Sequence, residues 1–287
     1  EATRREVCLC KSPWILSIRL MNVTDKVPAY IRNLIPYNPG KPIEEVEREY
    51  GIKDCVKLAS NENPLGPSPR AMKALAGRLA ELNLYPDGDC FNLKRGLAAK
   101  LNVPDTRLIF GNGSNEIIEL AVRTFMSPGD EAIMDRFAFS IFRLVVQAAG
   151  GRCKIIPPKN FTVDLEAMSR EVTPSTRILF LANPNNPTGT IYRKGEWEKF
   201  LERVRPEILL VVDEAYFEYA NNRDDYPDSM DFRYDNVITL RTFSKSYGLA
   251  GLRVGYGFAH DFLISNLSKV KLPFEPNIIA QEAGFAA

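Results

Sequence analysis

Segments that predict strands alternate with segments that predict helices over most of the chain, from residue 108 onwards. Short apolar runs predict strands at residues 108–110, 131–135, 152–156, 178–182, 209–213, 237–240 and 253–258. Segments typical of helices lie between or after them, at 116–126, 140–149, 165–171, 196–204 and 261–271. Such alternation favours a mostly parallel sheet with helices on both faces. The sequence therefore predicts the α/β fold class.

The segment 236–256, NVITLRTFSKSYGLAGLRVGY, places a lysine among phosphate-binding residue types directly after a predicted strand. Thr242 and Ser244 supply hydroxyls beside Lys245, and Arg253 follows in the same segment. Hydroxyls and an arginine can hold a phosphate, while a lysine can form a covalent imine with an aldehyde. Pyridoxal phosphate requires these groups. For this segment alone, a buried strand followed by an ordinary polar loop is the alternative.

Two further strand ends carry polar residues that suit the same cofactor. The segment 208–216, ILLVVDEAY, predicts a buried strand that ends in Asp213 and Glu214. A buried carboxylate needs a cationic partner, and a protonated pyridine nitrogen would be one. The segment 177–189 runs from a strand into NPNNPTG, where two prolines and a glycine fix an irregular loop that aims Asn186. An ordinary core aspartate and an ordinary proline turn are the alternatives.

A glycine-containing turn, GNGSN at 111–115, joins a predicted strand to a predicted helix. Glycines at such a turn leave N–H groups free at the positive end of the helix dipole, so that the turn can cradle a phosphate. A glycine cap is the alternative. Four predicted strands thus place polar or reactive residues just after their carboxyl ends, where ligands bind in open α/β sheets. The sequence therefore predicts one composite site.

The motifs NPNNPTG, VDEAY, RTFSK and GLAGLRVGY, in this order and spacing, resemble those of the histidinol-phosphate aminotransferase family of fold-type I pyridoxal-phosphate enzymes. The upstream segments LASNENPLGPSP, YPDGDC and GNGSNE resemble the same family. The resemblance implies a large pyridoxal-phosphate-binding domain over residues 70–287 and an N-terminal arm or small-domain segment over 21–69. Residues 1–20 do not match the family and are expected to form a disordered leader.

The activity that the resemblance implies is amino-group transfer between L-histidinol phosphate and 2-oxoglutarate in histidine biosynthesis. Aromatic amino-acid transamination and threonine-phosphate decarboxylation are alternatives within the class. Family members continue beyond the position of Ala287 into a C-terminal small domain, so the resemblance implies that this sequence is truncated there, with that domain absent. A catalytically silent, pyridoxal-phosphate-binding remnant is therefore the alternative from another class. We expect the 287-residue chain to keep most of the cofactor site and to turn over little substrate.

The resemblance also implies catalytic roles for individual residues. Lys245 would form the covalent imine and then move the proton of the substrate carbon. Asp213 would keep the pyridine nitrogen protonated. Asn186 and Tyr216 would hydrogen-bond the phenolic oxygen of the ring. Phe139, where the family more often has a tyrosine, would stack on the ring, and its alternative is an ordinary core phenylalanine.

The remaining implied residues bind the cofactor phosphate or the substrate. The phosphate ligands would be Ser114, Asn115, Thr242, Ser244 and Arg253. Tyr85 would reach the phosphate of a neighbouring subunit, which implies a homodimer. Tyr37 and Asn61 would contact the substrate.

Composition excludes several other classes of function. The balance of 37 basic and 36 acidic residues favours small-molecule substrates over nucleic acid or a membrane surface. Five cysteines without CxxC spacing and a single histidine, His260, argue against a zinc or other metal site. No apolar run is long enough to span a membrane, so a cytoplasmic protein is expected. The acidic stretch 221–235 is expected to be a solvated surface loop.

Overall fold

The computed structural model describes residues 23–232 and 234–287; the expected leader over residues 1–20 lies outside this range. The strands are β1 (Leu108–Asn112), β2 (Glu131–Asp135), β3 (Arg152–Ile156), β4 (Thr176–Ala182), β5 (Leu209–Asp213), β6 (Val237–Thr242) and β7 (Val254–Ala259). The helices are α1 (Ala29–Arg32), α2 (Ile43–Tyr50), α3 (Pro69–Arg78), α4 (Phe91–Leu101), α5 (Ser114–Phe125), α6 (Ser140–Ala148), α7 (Leu165–Arg170), α8 (Lys194–Leu201), α9 (Asp261–Val270) and α10 (Ile278–Ala286). In this part of the chain no helix is long and apolar enough to cross a membrane.

The strands form one sheet in the order β1-β7-β6-β5-β4-β2-β3. Strand β7 is antiparallel to both of its neighbours, β1 and β6, and the other adjacent strands are parallel. The loop 243–253 joins β6 to β7 without a crossover helix, which only an antiparallel pair allows. The mostly parallel α/β fold is therefore confirmed. Because β1 and β6 are both antiparallel to β7, the carboxyl ends of β1, β4, β5 and β6 share one edge.

Helices cover both faces of the sheet. Along β5, Leu209 and Val211 face a cluster with residues of α5, α6 and α9, whereas Leu210 and Val212 face a cluster with residues of α7 and α8. A third cluster packs α3, α4 and α10 against β1 and β7. Burial on both faces explains why the central strands β4 and β5 are almost continuously apolar.

Most predicted boundaries lie close to the observed ones. The bounds of β2, β3 and β5 are those predicted, and β6 continues two residues further, to Thr242. The strand predicted to begin at Arg253 begins at Val254, because Arg253 has a left-handed backbone (φ 56°) that ends the preceding turn. Helix α5 begins at Ser114 and not at Glu116, so that its first turn lies within the predicted glycine turn.

The acidic stretch 221–235 is not a solvated loop throughout. Tyr226, Ser229 and Met230 are buried. Asp228 accepts a hydrogen bond of 2.6 Å from Nη2 of Arg241, a buried residue of β6. The surface-loop prediction is therefore wrong for this part of the stretch, because a buried arginine recruits one of its carboxylates.

Candidate active site

A cavity of about 630 Å³ lies at the edge where β1, β4, β5 and β6 end. All the predicted site residues except Tyr85 line it: Tyr37, Asn61, Ser114, Asn115, Phe139, Asn186, Asp213, Tyr216, Thr242, Ser244, Lys245 and Arg253. These residues come from widely separated segments, and they meet because the strands that precede most of them are neighbours in the sheet.

Lys245 lies in the loop that follows β6, with its amine held by backbone carbonyls. Nζ donates hydrogen bonds to the oxygens of Ser60 (3.2 Å) and Asn61 (3.4 Å). Burial lowers the pKa of Lys245; Asp213 opposes this effect and the Arg253 cation adds to it. A lowered pKa increases the fraction of neutral amine, which is the nucleophilic form. The lysine is therefore suited to attack an aldehyde.

Asp213 ends β5 as a carboxylate that is only 7% exposed. Its Oδ1 accepts a hydrogen bond of 3.0 Å from the backbone N–H of Ala215. Burial raises the pKa of Asp213 to about 6, although the Ala215 N–H and the Lys245 cation partly offset this. Among the described residues no ion pair involves Asp213. The site thus presents a buried carboxylate to which a cationic group could bind.

Tyr216 lies three residues beyond the end of β5, and its hydroxyl accepts a hydrogen bond of 2.7 Å from Nδ2 of Asn61. Burial raises the pKa of Tyr216, and the bond from Asn61 opposes this. Lys245 Nζ lies 5.6 Å from the centroid of the Tyr216 ring. The substrate contact of Asn61 stays a prediction; what the structure shows is the hydrogen bond from its amide to Tyr216.

The segment that carries Asn61 crosses the cavity in a strained conformation. Ser60 and Asn61 both have positive φ, 70° and 50°, which residues with side chains rarely adopt. The side-chain amide of Asn63 donates to the carbonyl of Ser246 (2.9 Å), next to Lys245. Such strain persists only where surrounding contacts hold it. Those contacts aim the Ser60 and Asn61 carbonyls at the lysine.

The turn between β1 and α5 faces the hydroxyls of the lysine loop. Gly113 has φ 73°, and α5 begins at Ser114, where the first N–H groups of the helix have no partner within it. Opposite them, the hydroxyls of Thr242 and Ser244 lie 3.0 Å apart, and Nη1 of Arg253 lies 3.5 Å from Ser244 Oγ. Free N–H groups, hydroxyls and a guanidinium together form an anion site.

Glycines keep this anion site open. A Cβ added to Gly113 would lie 2.5 Å from Nη2 of Arg253, and one added to Gly255 would lie 2.5 Å from the nitrogen of Ser114. Both distances are shorter than real side chains allow. The close approach of Arg253 to the helix start therefore depends on these two positions.

The loop after β4 holds Asn186 in the cavity wall. Its hydrogen bonds include Asn185 N–H to the Thr190 carbonyl (2.9 Å) and the Tyr226 hydroxyl to the Asn183 carbonyl (2.6 Å). The Asn183–Pro184 and Asn186–Pro187 peptide bonds are cis. The two hydrogen bonds thus hold the loop in the cavity wall.

The aromatic residues predicted for the site occupy different environments. Phe139 lines the cavity and packs edge-on against Phe142, with ring centroids 5.9 Å apart. Tyr37 is 55% exposed and also lines the cavity. Tyr85 is 81% exposed, stacks on Phe274 at 4.6 Å and does not line this cavity. Tyr85 therefore lies outside the site formed by its own chain.

Sequence reasoning missed the partner of Glu214. Glu214 Oε2 accepts hydrogen bonds from Nε (3.0 Å) and Nη2 (2.8 Å) of Arg241, and both side chains are buried. The signal was present, because an arginine inside the apolar strand VITLRT requires a buried acceptor.

The fold and the site together define the class of fold-type I aminotransferases. A model of the family "Aminotransferase class I and II" matches residues 53–287. The chain is 50% identical over 260 residues to histidinol-phosphate aminotransferase from Moorella thermoacetica, covering 90% of this chain and 67% of the relative. It is 48% identical over 261 residues to histidinol-phosphate aminotransferase 1 from Nitrosococcus oceani, covering 90% and 70%. The chain therefore belongs to the aminotransferase class I and II family and, within it, to the histidinol-phosphate aminotransferases.

A solved structure has the same fold. The crystal structure of histidinol-phosphate aminotransferase from Sinorhizobium meliloti in complex with pyridoxal-5'-phosphate superposes with a TM-score of 0.82 at 30% identity. The match covers 90% of this chain and 69% of that one.

Proposed function

We propose that this chain binds pyridoxal phosphate in the cavity and transfers an amino group between L-histidinol phosphate and 2-oxoglutarate, a step of histidine biosynthesis. The observation that carries the proposal is that one cavity contains the Lys245 amine, the buried Asp213 carboxylate and the anion site at the start of α5. The 50% identity to a histidinol-phosphate aminotransferase supports the choice of substrate.

The residues present fit each chemical group of the cofactor. Its phosphate suits the N–H groups of Ser114 and Asn115, the two hydroxyls and the guanidinium of Arg253. Its pyridine nitrogen suits Asp213, which otherwise is a buried carboxylate without an ion-pair partner in the described part of the chain. Its aldehyde suits Lys245, whose pKa is lowered by burial. The glycine at 113 leaves room where a Cβ would block the guanidinium.

When bound, pyridoxal phosphate supplies an electron sink that stabilises negative charge on the substrate carbon bearing the amino group. Lys245 would hold the cofactor through its aldehyde, and its Nζ would move the proton of the substrate carbon that bears the amino group. Asp213 would bind the ring nitrogen and keep it protonated. Asn186 and Tyr216 would donate hydrogen bonds to the phenolic oxygen, and Phe139 would pack on the ring face.

The proposal includes a homodimer in the cytoplasm. Tyr85 and Phe274 form an exposed aromatic pair, near which Leu84 and Leu272 are also exposed. A second copy would cover this apolar surface and would bring Tyr85 towards the phosphate of the partner's cofactor. Light scattering is expected to show a dimer. Tyr85→Phe is expected to weaken cofactor binding while the protein remains a dimer. A monomer that binds the cofactor normally would contradict this part of the proposal.

The test of substrate class is a half-reaction followed by absorbance. L-Histidinol phosphate added to the cofactor-loaded protein is expected to abolish the visible absorption band, slowly in the 287-residue chain, and 2-oxoglutarate is expected to restore the band. L-Phenylalanine and L-threonine O-3-phosphate serve as competing substrates, and Lys245→Ala is the control for the covalent attachment. Faster reaction with phenylalanine, or carbon dioxide release from threonine phosphate, would contradict the proposed substrate.

The same assay tests whether residues beyond Ala287 are needed for turnover, separately from cofactor binding. The chain spans 67% of the Moorella thermoacetica relative. A second version carries, after Ala287, the residues of that relative that follow the matched region. We expect turnover of histidinol phosphate to be much faster in the extended version, while the 287-residue chain retains cofactor binding. An extended protein that binds the cofactor but leaves histidinol phosphate unchanged would overturn the proposed activity.

A further inference from the structure

A buried guanidinium connects the ends of β5 and β6 directly behind the cavity. Arg241 is 2% exposed and bonds Glu214 through two nitrogens, at 2.8 and 3.0 Å. Its Nη2 also donates to Asp228 Oδ1 at 2.6 Å, and its Cζ lies 3.3 Å from the centroid of the Phe217 ring. We call Arg241, Glu214, Asp228 and Phe217 the arginine clamp.

The clamp lies next to the reacting groups in sequence but outside the cavity in space. Glu214 follows Asp213 and precedes Tyr216 by two residues, and Arg241 precedes Thr242; neither Glu214 nor Arg241 lines the cavity. Asp213 pairs with Leu240 across the two strands, so that Glu214 and Arg241 share the opposite face of the sheet. The backbone N–H of Ser229 donates to Glu214 Oε1 at 2.9 Å, which fixes the second carboxylate oxygen.

We propose that Arg241 is a positioning residue that, through Glu214 and Phe217, fixes the segment from Asp213 to Tyr216 relative to the loop that carries Lys245. This inference rests on the proposed function, because the groups it positions are those assigned to the cofactor. Tyr216 is held on one side by Asn61 and on the other by the chain continuing into Phe217, which stacks on the guanidinium. Loosening the clamp is therefore expected to make Tyr216, which lines the cavity, more mobile.

The charges in the clamp are better suited to positioning than to stability. Burying an ion pair costs desolvation free energy, and the attraction between the charges offsets only part of this cost. A protein with an apolar pair of similar volume in its place is therefore often at least as stable. Burial alone would lower the pKa of Arg241, but Glu214, Tyr256 and Asp228 together outweigh burial and raise this pKa above its ordinary value. Tyr226 and Tyr256 lie close to the clamp, and burial raises the pKa of each, so both remain neutral. What the guanidinium adds is fixed geometry, because its fork bonds two carboxylates while its face stacks on a ring.

The test compares Arg241→Lys with a control of the same structural kind. Lysine keeps the charge but cannot bond both carboxylates and stack on Phe217 at once. The control is Phe200→Leu, which removes buried volume in α8, in a core cluster that contains no cavity residue. This variant shows what a general loss of stability does when the clamp is intact. Urea unfolding measures the stability of both variants.

The first measurement uses the 287-residue protein without cofactor. Amide hydrogen exchange is followed for the peptide that contains residues 213–219. We expect exchange at least roughly fivefold faster in Arg241→Lys and unchanged in Phe200→Leu, since local opening depends on local contacts. Equal exchange in wild type and Arg241→Lys would overturn the inference, whether or not the cofactor binds.

The second measurement is the pH at which the visible band of the lysine-bound cofactor changes. A hydrogen bond from Tyr216 to the phenolic oxygen favours the form in which that oxygen is fully charged, so its loss raises the pH midpoint. Arg241→Lys is expected to raise the midpoint by about half a pH unit, in the same direction as Tyr216→Phe. Because Arg241 acts through Tyr216, the double variant is expected to match Tyr216→Phe alone.

Each outcome assigns the failure to one of the two proposals. A lowered stability of Arg241→Lys with a wild-type midpoint would show a purely structural role and overturn the inference alone. Shifts that add in the double variant would also overturn it, since Arg241 would then act by another route. A wild-type protein with no visible band would contradict the proposed function, and this inference with it, although the exchange experiment would still show whether the clamp holds the turn.

Discussion

The side-chain amide of Asn61 donates a hydrogen bond of 2.7 Å to the hydroxyl of Tyr216, which joins the segment before α3 to the turn after β5. The bond leaves the Tyr216 proton free for an acceptor in the cavity. A hydroxyl that accepts one hydrogen bond donates a stronger one, so Asn61 increases the strength with which Tyr216 can donate. The first prediction follows from this pair.

Asn61→Ala is expected to raise the pH midpoint of the bound cofactor's visible band, in the same direction as Tyr216→Phe but by less. The reason is that Tyr216 remains present but loses its partner. The matched control is Asn266→Ala, because the Asn266 amide donates to the Phe262 carbonyl (2.8 Å) and Asn266 does not line the cavity. A midpoint that moves equally in both variants, or only in the control, would show that Asn61 does not act through Tyr216.

Gly113→Ala is expected to weaken pyridoxal-phosphate binding by at least about tenfold, equivalent to about 1.4 kcal/mol. A Cβ at this position would lie 2.5 Å from Arg253 Nη2, and φ 73° is costly for alanine. Gly129→Ala is the control, because Gly129 also has positive φ (92°) but nothing within 4 Å of an added Cβ. Fluorescence titration measures both affinities. Similar losses in the two variants would attribute the effect to backbone strain and not to the phosphate site.

Asp213→Asn is expected to stabilise the cofactor-free protein and to weaken cofactor binding. Burial raises the pKa of Asp213 from 3.8 to about 6, so the folded state binds more protons than the unfolded state between these values. The carboxylate therefore lowers stability progressively as the pH rises through this range, by on the order of 3 kcal/mol above it. Asparagine removes that cost.

Urea unfolding at two pH values checks the sign of this effect. At pH 8 the free energy of unfolding of Asp213→Asn is expected to exceed that of wild type by most of the roughly 3 kcal/mol. At pH 5 the difference is expected to be about half as large, because Asp213 in the folded wild type is largely protonated at that pH. A variant that is less stable than wild type at pH 8 would contradict the account of Asp213 as an unpaired buried charge.

Gly248→Ala is expected to detach the segment 60–67 from the lysine loop. Gly248 has φ 69°, and a Cβ there would meet the backbone of Gly66 and lie 2.8 Å from the nitrogen of Pro67. Backbone atoms cannot yield as a side chain can, so we expect faster proteolysis within this segment. Gly251→Ala, in the same loop and with nothing within 4 Å, is the control. If both variants are cleaved at the wild-type rate, the loop and the segment are not held together at this contact.

The sequence predicted those features that are encoded locally. The bounds of β2 and β5 follow from short apolar runs. Asp213 and Lys245 meet because Asp213 ends β5, Lys245 follows β6, and the carboxyl ends of both strands lie at the same edge. The antiparallel direction of β7 was not predicted, because a strand pattern of period two is the same in both directions.

Contacts between distant segments could not be predicted in this way. Arg241 and Glu214 are 27 residues apart, and Asn61 and Tyr216 are 155 residues apart. The apolar run before Glu214 shows that its carboxylate is buried but does not identify its partner. The partly buried stretch around Asp228 was misjudged for the same reason, since its composition is that of a solvated loop. The residues that bind it on the inside, Arg241, Glu214 and Asn183, belong to distant segments.

The most direct test of the central claim is covalent labelling of Lys245. The 287-residue protein is incubated with pyridoxal phosphate, reduced with borohydride to fix any imine, digested and mapped by mass spectrometry. We predict one stoichiometric label on Lys245, and less label at that position in Gly113→Ala or in the presence of excess phosphate, because both reduce occupation of the anion site. A stoichiometric label on another lysine, with Lys245 unmodified, would contradict the assignment of this cavity as the cofactor site.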